Sequence, residues 1–361
     1  MIGSSGSPSR WLGWILLLGL ATVTADEPRP TPLPRDTLPA DRDLSAVPLG
    51  LRELPPVPPG NPLTPERVAL GRRLFFDPSL SRDGGLSCAS CHQPEHGFAA
   101  PEPRPVGHAG QIGRRNAPSL LNRGYGKTFF WDGRARSLEE QVLQPIDNPT
   151  ELGGSLVKRL EALRDEPGYV EAFSAAFPSA GPGDAVSRDH LSQALASFVR
   201  SLTAGDTPVD RFHAGDFAAL DDAARRGLWI FDSRGGCWRC HSGPTFSDER
   251  FHNTGVGFGE ADRDEGRFEV TGRETDRHAF RTPPLRGVAH TAPYMHDGSQ
   301  KTLEEVVRFY DRGGSPADPG LDRDLKPLDL DERAILDLVA FLEALSRFPP
   351  QDPPPAGRGV R

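Results

Sequence analysis

The chain has 361 residues, 36% hydrophobic and 25% charged, the balance of a soluble globular protein long enough for two or three domains with separate cores. Its net charge of −8 lacks the clustered positive field that nucleic acid requires, so no nucleic-acid partner is expected. With 39 Gly and 37 Pro, it is unsuited to a coiled coil or a helical solenoid and should carry long loops.

In chain order, the first segment reads as an export signal. Arg10 supplies the positive region, residues 11–20 the apolar region, and Val23-Thr24-Ala25 a small-residue cleavage site. An apolar run of about ten residues is too short to span a bilayer. A signal peptide over 1–25, cleaved near Ala25, and a periplasmic mature chain are therefore expected. Residues 26–63 are rich in Pro and charge and read as an extended or wrapping N-terminal arm. Thr64-Pro65-Glu66 opens a helix over 67–76 that ends at Asp77-Pro78. Ser137-Leu138-Glu139-Glu140 is a capping-box pattern opening a helix over 138–143. Further helical patterns cover 155–163, 190–202, 221–231, 303–310 and 331–345, and a Pro-rich tail occupies 347–361. The fold class is all-α with long Gly/Pro-rich loops.

A weak repeat divides the chain. Gly71-Arg72-Arg73-Leu74-Phe75-Phe76-Asp77 precedes the first cysteine pair, and Gly227-Leu228-Trp229-Ile230-Phe231-Asp232 precedes the second. Two related domains, 64–204 and 219–346, are inferred. All four cysteines lie in Cys88-Ala89-Ser90-Cys91-His92 and Cys237-Trp238-Arg239-Cys240-His241. Cys-x-x-Cys-His is the attachment pattern for a c-type haem. Two thiols three apart share one helical turn and can add to the two vinyl groups, while the next His lies under the iron. Disulfides, a redox dithiol and a zinc site are the competing readings. Two complete matches with no cysteine left over favour two covalently bound haems, with His92 and His241 as iron ligands. A zinc site would have to unite the pairs across a spacing far outside the usual knuckle.

Four blocks then resemble a known family: Gly71 to Pro78, Gly113-Arg114-Arg115-Asn116-Ala117-Pro118-Ser119, Phe130-Trp131-Asp132-Gly133-Arg134-Ala135 and Ala292-Pro293-Tyr294-Met295-His296-Asp297-Gly298. They look like the bacterial dihaem cytochrome c peroxidases and the related methylamine-utilisation maturases, in family order from Pro65 to Leu345. The resemblance implies two cytochrome c-like domains, a peroxidatic first haem and an electron-collecting second one. It implies that His108 caps the first iron at rest, that Trp131 stands between the haems, and that Asn116, Thr291 and Pro293 hold one calcium ion through neutral oxygens. It also implies that Glu151, with Gln141 and Pro145 before it, handles protons during peroxide cleavage. The competing role for Glu151 is a carboxylate at the start of the 155–163 helix.

Tyr310 occupies the place of the second haem's distal ligand. Tyr there is similar to the maturases, whereas His108 is similar to the peroxidases. Met295 is the rival thioether, since the chain's other methionine is Met1. The expected reaction is reduction of hydrogen peroxide to water with electrons from a small donor protein, a c-type cytochrome or a cupredoxin, and a homodimer is compatible with it. The alternatives are a maturase oxidising side chains of a partner protein and a dihaem electron carrier without catalysis.

Overall fold

The computed structural model describes residues 1, 3, 43–181 and 184–346. Apart from residues 1 and 3, the expected signal peptide lies outside them, as does the tail 347–361. The helices are α1 (Pro65–Phe76), α2 (Leu138–Gln141), α3 (Gln144–Asp147), α4 (Leu156–Arg164), α5 (Pro167–Ala176), α6 (Arg188–Ser201), α7 (Pro208–His213), α8 (Asp222–Asp232), α9 (Leu303–Asp311) and α10 (Glu332–Ala344). Single helical turns lie at Cys88–Cys91 and Phe268–Thr271. Strand is scarce: β1 (Phe251–His252) pairs antiparallel with β2 (Phe280–Arg281), Phe251 opposite Arg281. Among the described residues no helix is long and apolar enough to cross a membrane.

Helix starts follow their caps. The Thr64 hydroxyl accepts the Arg67 N–H at 3.3 Å ahead of α1, with Pro65 where no helical N–H is required. Asp221 and Asp331 each accept the N–H three residues on at 2.8 Å, opening α8 and α10. The helix expected over 138–143 is shorter. Ser137 accepts the Glu140 N–H at 3.0 Å, but the Glu140 carboxylate reaches back to the Arg136 N–H, so the reciprocal half of the box is displaced by one residue. Pro145 then interrupts the helix, since its ring removes a donor and crowds the preceding turn. The chain restarts as α3.

Two apolar clusters form, one built by residues 70–202 and the other by residues 209–345. Each is organised by the same crossing. In the first, α1 meets α6 at Gly71, where a Cβ would overlap the Ala194 carbonyl oxygen, and Phe75 packs on Phe198 with ring centroids 4.9 Å apart. In the second, α8 meets α10 at Gly227, where a Cβ would overlap the Asp337 carbonyl oxygen, and Phe231 packs on Phe341, again 4.9 Å apart. The segment 204–219 contains α7, whose Val209 is fully buried in the second cluster.

The repeat continues beyond what the sequence patterns showed. Phe129 bridges Ala135 around Trp131 as Tyr294 bridges Gln300 around His296, and both turns place a non-Gly residue at positive φ, Phe130 at 64° and Met295 at 72°. The two halves then exchange equivalent contacts. The Asn116 N–H donates to the His296 carbonyl at 2.7 Å, and the Arg281 N–H donates to the Trp131 carbonyl at 2.8 Å. Buried charge supports this wall. Arg115 grips Asp264 through two bonds of 2.8 Å and also pairs with Asp132. The arm wraps over both halves: the Tyr125 hydroxyl donates to the Glu53 carbonyl at 2.7 Å, and Arg286 Nη2 donates to the Gly50 carbonyl at 3.0 Å.

Candidate active site

No disulfide joins the four cysteines, contrary to the disulfide reading. Burial pushes the Cys88, Cys91 and Cys237 thiols up to about 12. At the first pair this is the opposite of the shift a redox dithiol requires. Cys240 Sγ, Asp248 and His252 place ligand-capable atoms within 4.8 Å of one another, but this group draws on one sulfur and does not unite the pairs as a Cys-rich zinc site would. Each His following a pair is held alike. His92 Nδ1 lies 3.0 Å from the Phe98 carbonyl, and His241 Nδ1 lies 3.0 Å from the Phe246 carbonyl. Both carbonyls are presented from positive φ, 59° at Phe98 and 54° at Phe246. A carbonyl at Nδ1 fixes that nitrogen as the donor and leaves Nε2 as the ligand atom. Burial lowers both imidazoles below their ordinary range, which favours the neutral, ligating form. These residues fit covalently held haem.

A cavity adjoins the second pair. Cys237, Cys240 and His241 line it, with apolar walls from Phe231, Leu285, Val307 and Leu338. Tyr310 of α9 lines the same space, and burial raises its phenol well above the ordinary range. Met295, the rival thioether, lines it too. The cavity extends to the wall between the halves, where Trp131, Asn116, Thr291 and Pro293 border it. Trp131 is buried and doubly fixed: its Nε1–H donates to the Asn116 carbonyl at 2.9 Å, and its own carbonyl accepts from Arg281. Asn116 Nδ2 donates to the Glu102 carbonyl at 3.1 Å, which leaves Oδ1 as an acceptor suited to a hard cation. The Thr291 hydroxyl donates to the Val288 carbonyl at 3.1 Å.

At the first pair, the carboxylate of Glu151 sits close enough to oppose ionisation of both Cys88 and Cys91. Burial raises its own proton affinity, against a 2.7 Å hydrogen bond donated by Asn148 Nδ2. The helix-capping role falls elsewhere: Asp147 Oδ1 accepts the Leu156 N–H of α4 at 2.7 Å. His108 is tied to this segment, its N–H donating to the Glu151 carbonyl at 2.7 Å. The His108 ring packs on Gly153, and its Nδ1 faces Asp83 at 3.3 Å. Gln141, half-buried, ends α2. Counted from the equivalent caps Ser137 and Thr302, Pro145 stands in the first half where Tyr310 stands in the second. Sequence reasoning missed this equivalence and the role of Arg281 in the wall. The signal lay in Ser137-Leu138-Glu139-Glu140 against Thr302-Leu303-Glu304-Glu305.

Comparison with known proteins agrees with the geometry. The model of the di-haem cytochrome c peroxidase family matches residues 65–218. The chain is 41% identical over 333 residues to the methylamine utilization protein MauG of Methylorubrum extorquens, covering 92% of this chain and 90% of the relative. It is 37% identical over 299 residues to the cytochrome c551 peroxidase of Pseudomonas aeruginosa, covering 81% of this chain and 82% of the relative. Among solved structures it is similar to a MauG-like protein associated with microbial copper homeostasis, with a TM-score of 0.75, 34% identity, and coverage of 81% of this chain and 93% of that one.

Proposed function

Because the chain belongs to the di-haem cytochrome c peroxidase family and is an oxidoreductase of that type, we propose that it reduces hydrogen peroxide to two molecules of water, taking two electrons from a small c-type cytochrome or cupredoxin and two protons from solvent. The proposed setting is the periplasm, reached through the export signal read over residues 1–25. The proposed haem domains are 64–204 and 219–346, the second extended by α7, whose Val209 is buried in its core. Cys88, Cys91 and His92 would hold the first haem, and Cys237, Cys240 and His241 the second. When bound, the first haem supplies the iron at which the O–O bond is cleaved and the second supplies a reservoir for an electron.

The observation that carries the reading is the half-buried Glu151 carboxylate, close enough to oppose ionisation of the first cysteine pair and outside any capping role. Its Oε atoms take the proton from one peroxide oxygen and return it to the departing one, and burial brings the carboxyl toward the proton affinity such exchange needs. Asn148 holds the carboxylate in place. Gln141 and Pro145 are proposed to border the same face, and Pro145 offers iron no ligand atom, unlike Tyr310 in the other half. Trp131, whose indole is held by the Asn116 carbonyl and whose own carbonyl accepts from Arg281, is proposed as the aromatic relay between the haems. His108 is proposed as a resting cap on the first site, and Tyr310 as a distal ligand on the second. Asn116, Thr291 and Pro293 are proposed to hold calcium through neutral oxygens.

A maturase-like second reading is supported by Tyr310 in the cavity of the second pair. Stopped-flow mixing of the holoprotein with peroxide and a reduced donor separates the two. Peroxidase function predicts two one-electron donors oxidised per peroxide, with no protein substrate present. Donor oxidation no faster than in protein-free buffer would overturn it, and turnover restored only by a second, non-donor protein would favour the maturase.

A further inference from the structure

Arg281 is 2% exposed, yet the residue lines the cavity that contains Cys237, Cys240 and His241. Its backbone has a clear structural task, the N–H bond to the Trp131 carbonyl. In the other half, Asn116 performs the equivalent task toward His296. The fold therefore requires a backbone donor at this position and does not require a guanidinium.

The side chain is incompletely balanced where it lies. Arg281 Nη1 donates to Glu249 Oε1 at 3.3 Å and to the Thr282 carbonyl at 3.1 Å, and Nε reaches the Phe130 carbonyl at 3.4 Å. Glu249 is already gripped by Arg123, whose Nη1 and Nη2 lie 2.7 and 3.3 Å from its two oxygens. All three residues are out of solvent, so two guanidinium groups share one carboxylate. Burial, and then the proximity of Arg123, pulls the Arg281 guanidinium down to about 9. A buried charge with only a shared counter-charge is costly, and the residue carrying this one lines the cavity.

We propose that Arg281 anchors a propionate carboxylate of the second haem, completing the alternation Arg123, Glu249, Arg281, propionate across the wall between the halves. The inference rests on the reading that Cys237 and Cys240 hold haem. It makes Arg281 a positioning residue that joins the cofactor's edge to the backbone of Trp131.

Spectroelectrochemical titration of the two-haem protein tests it. A cation beside the propionate disfavours the extra positive charge of ferric iron, so Arg281→Gln should shift one haem's reduction equilibrium on the order of tenfold toward ferric. That is a fall of about 59 mV for a one-electron couple. The other haem should not move. Arg281→Lys should recover most of the shift, and Glu249→Gln should move the same haem upward. Unchanged potentials in an Arg281→Gln protein carrying both haems would overturn the proposal alone. If that variant fails to accumulate, an unmoved or lowered potential in Glu249→Gln overturns it. A wild-type chain without haem on Cys237 and Cys240 would overturn the functional reading along with it.

Discussion

Glu151 is the residue on which the proposed proton transfer turns. Its carboxylate is half-buried, raised in proton affinity by desolvation, and held by one neutral donor from Asn148. Glu151→Gln keeps the volume and an oxygen for Asn148 while removing the basic site. Peroxide turnover should fall by about 10² to 10⁴, the usual worth of general acid–base catalysis, with the haem absorption spectrum unchanged. Wild-type turnover in the variant would return Glu151 to a packing role. At this scale, the sequence was most legible where chemistry is written in adjacent residues. Each Cys-x-x-Cys-His segment carries its thiols and its ligand together, and the matching bonds from His92 to Phe98 and His241 to Phe246 follow the same local logic. Arg281 was not legible. Its meaning depends on Glu249 and Arg123, which are distant in sequence and unremarkable in type.

At the scale of elements, the two halves rest on helix crossings that admit no side chain at their centres. A Cβ at Gly71 would meet the Ala194 carbonyl and Phe198, and one at Gly227 would meet the Asp337 carbonyl and Phe341. Backbone on the far side cannot give way as a flexible side chain could. Gly71→Ala and Gly227→Ala should each destabilise the holoprotein by about 1–3 kcal/mol, as overpacking does. Gly60, which has open space around it, should tolerate alanine within about 0.5 kcal/mol. Thermal unfolding of the three variants is the check, and equal melting temperatures would contradict the crossing as the organising contact. Elements with Ser, Thr or Asp at their starts were readable, because the cap and the apolar period agree. α5 and α7 were not: α5 follows Glu166, whose side chain makes no cap bond, and α7 runs for only six residues although Thr207 caps it. The break between α2 and α3 follows from Pro145, whose counterpart Tyr310 lies within the unbroken α9.

At the scale of the whole molecule, the two halves meet through equivalent positions that have diverged in side chain. Asn116 and Arg281 donate the paired backbone bonds, and Trp131 and His296 accept them. Backbone bonds leave no residue-type signature, so a repeat obvious in space was only half visible in sequence. The divergence is functional in direction. Trp131 and His296 border one cavity, and Pro145 stands in the first half where Tyr310 stands in the second. The central claim is that these halves each carry a covalently attached haem. Intact mass of the denatured, purified holoprotein tests this most directly. The account predicts the mature chain plus two haems, reduced to one haem when Cys237 and Cys240 are replaced by alanine. A mass with no attached haem, or an unchanged haem count in that variant, would contradict it.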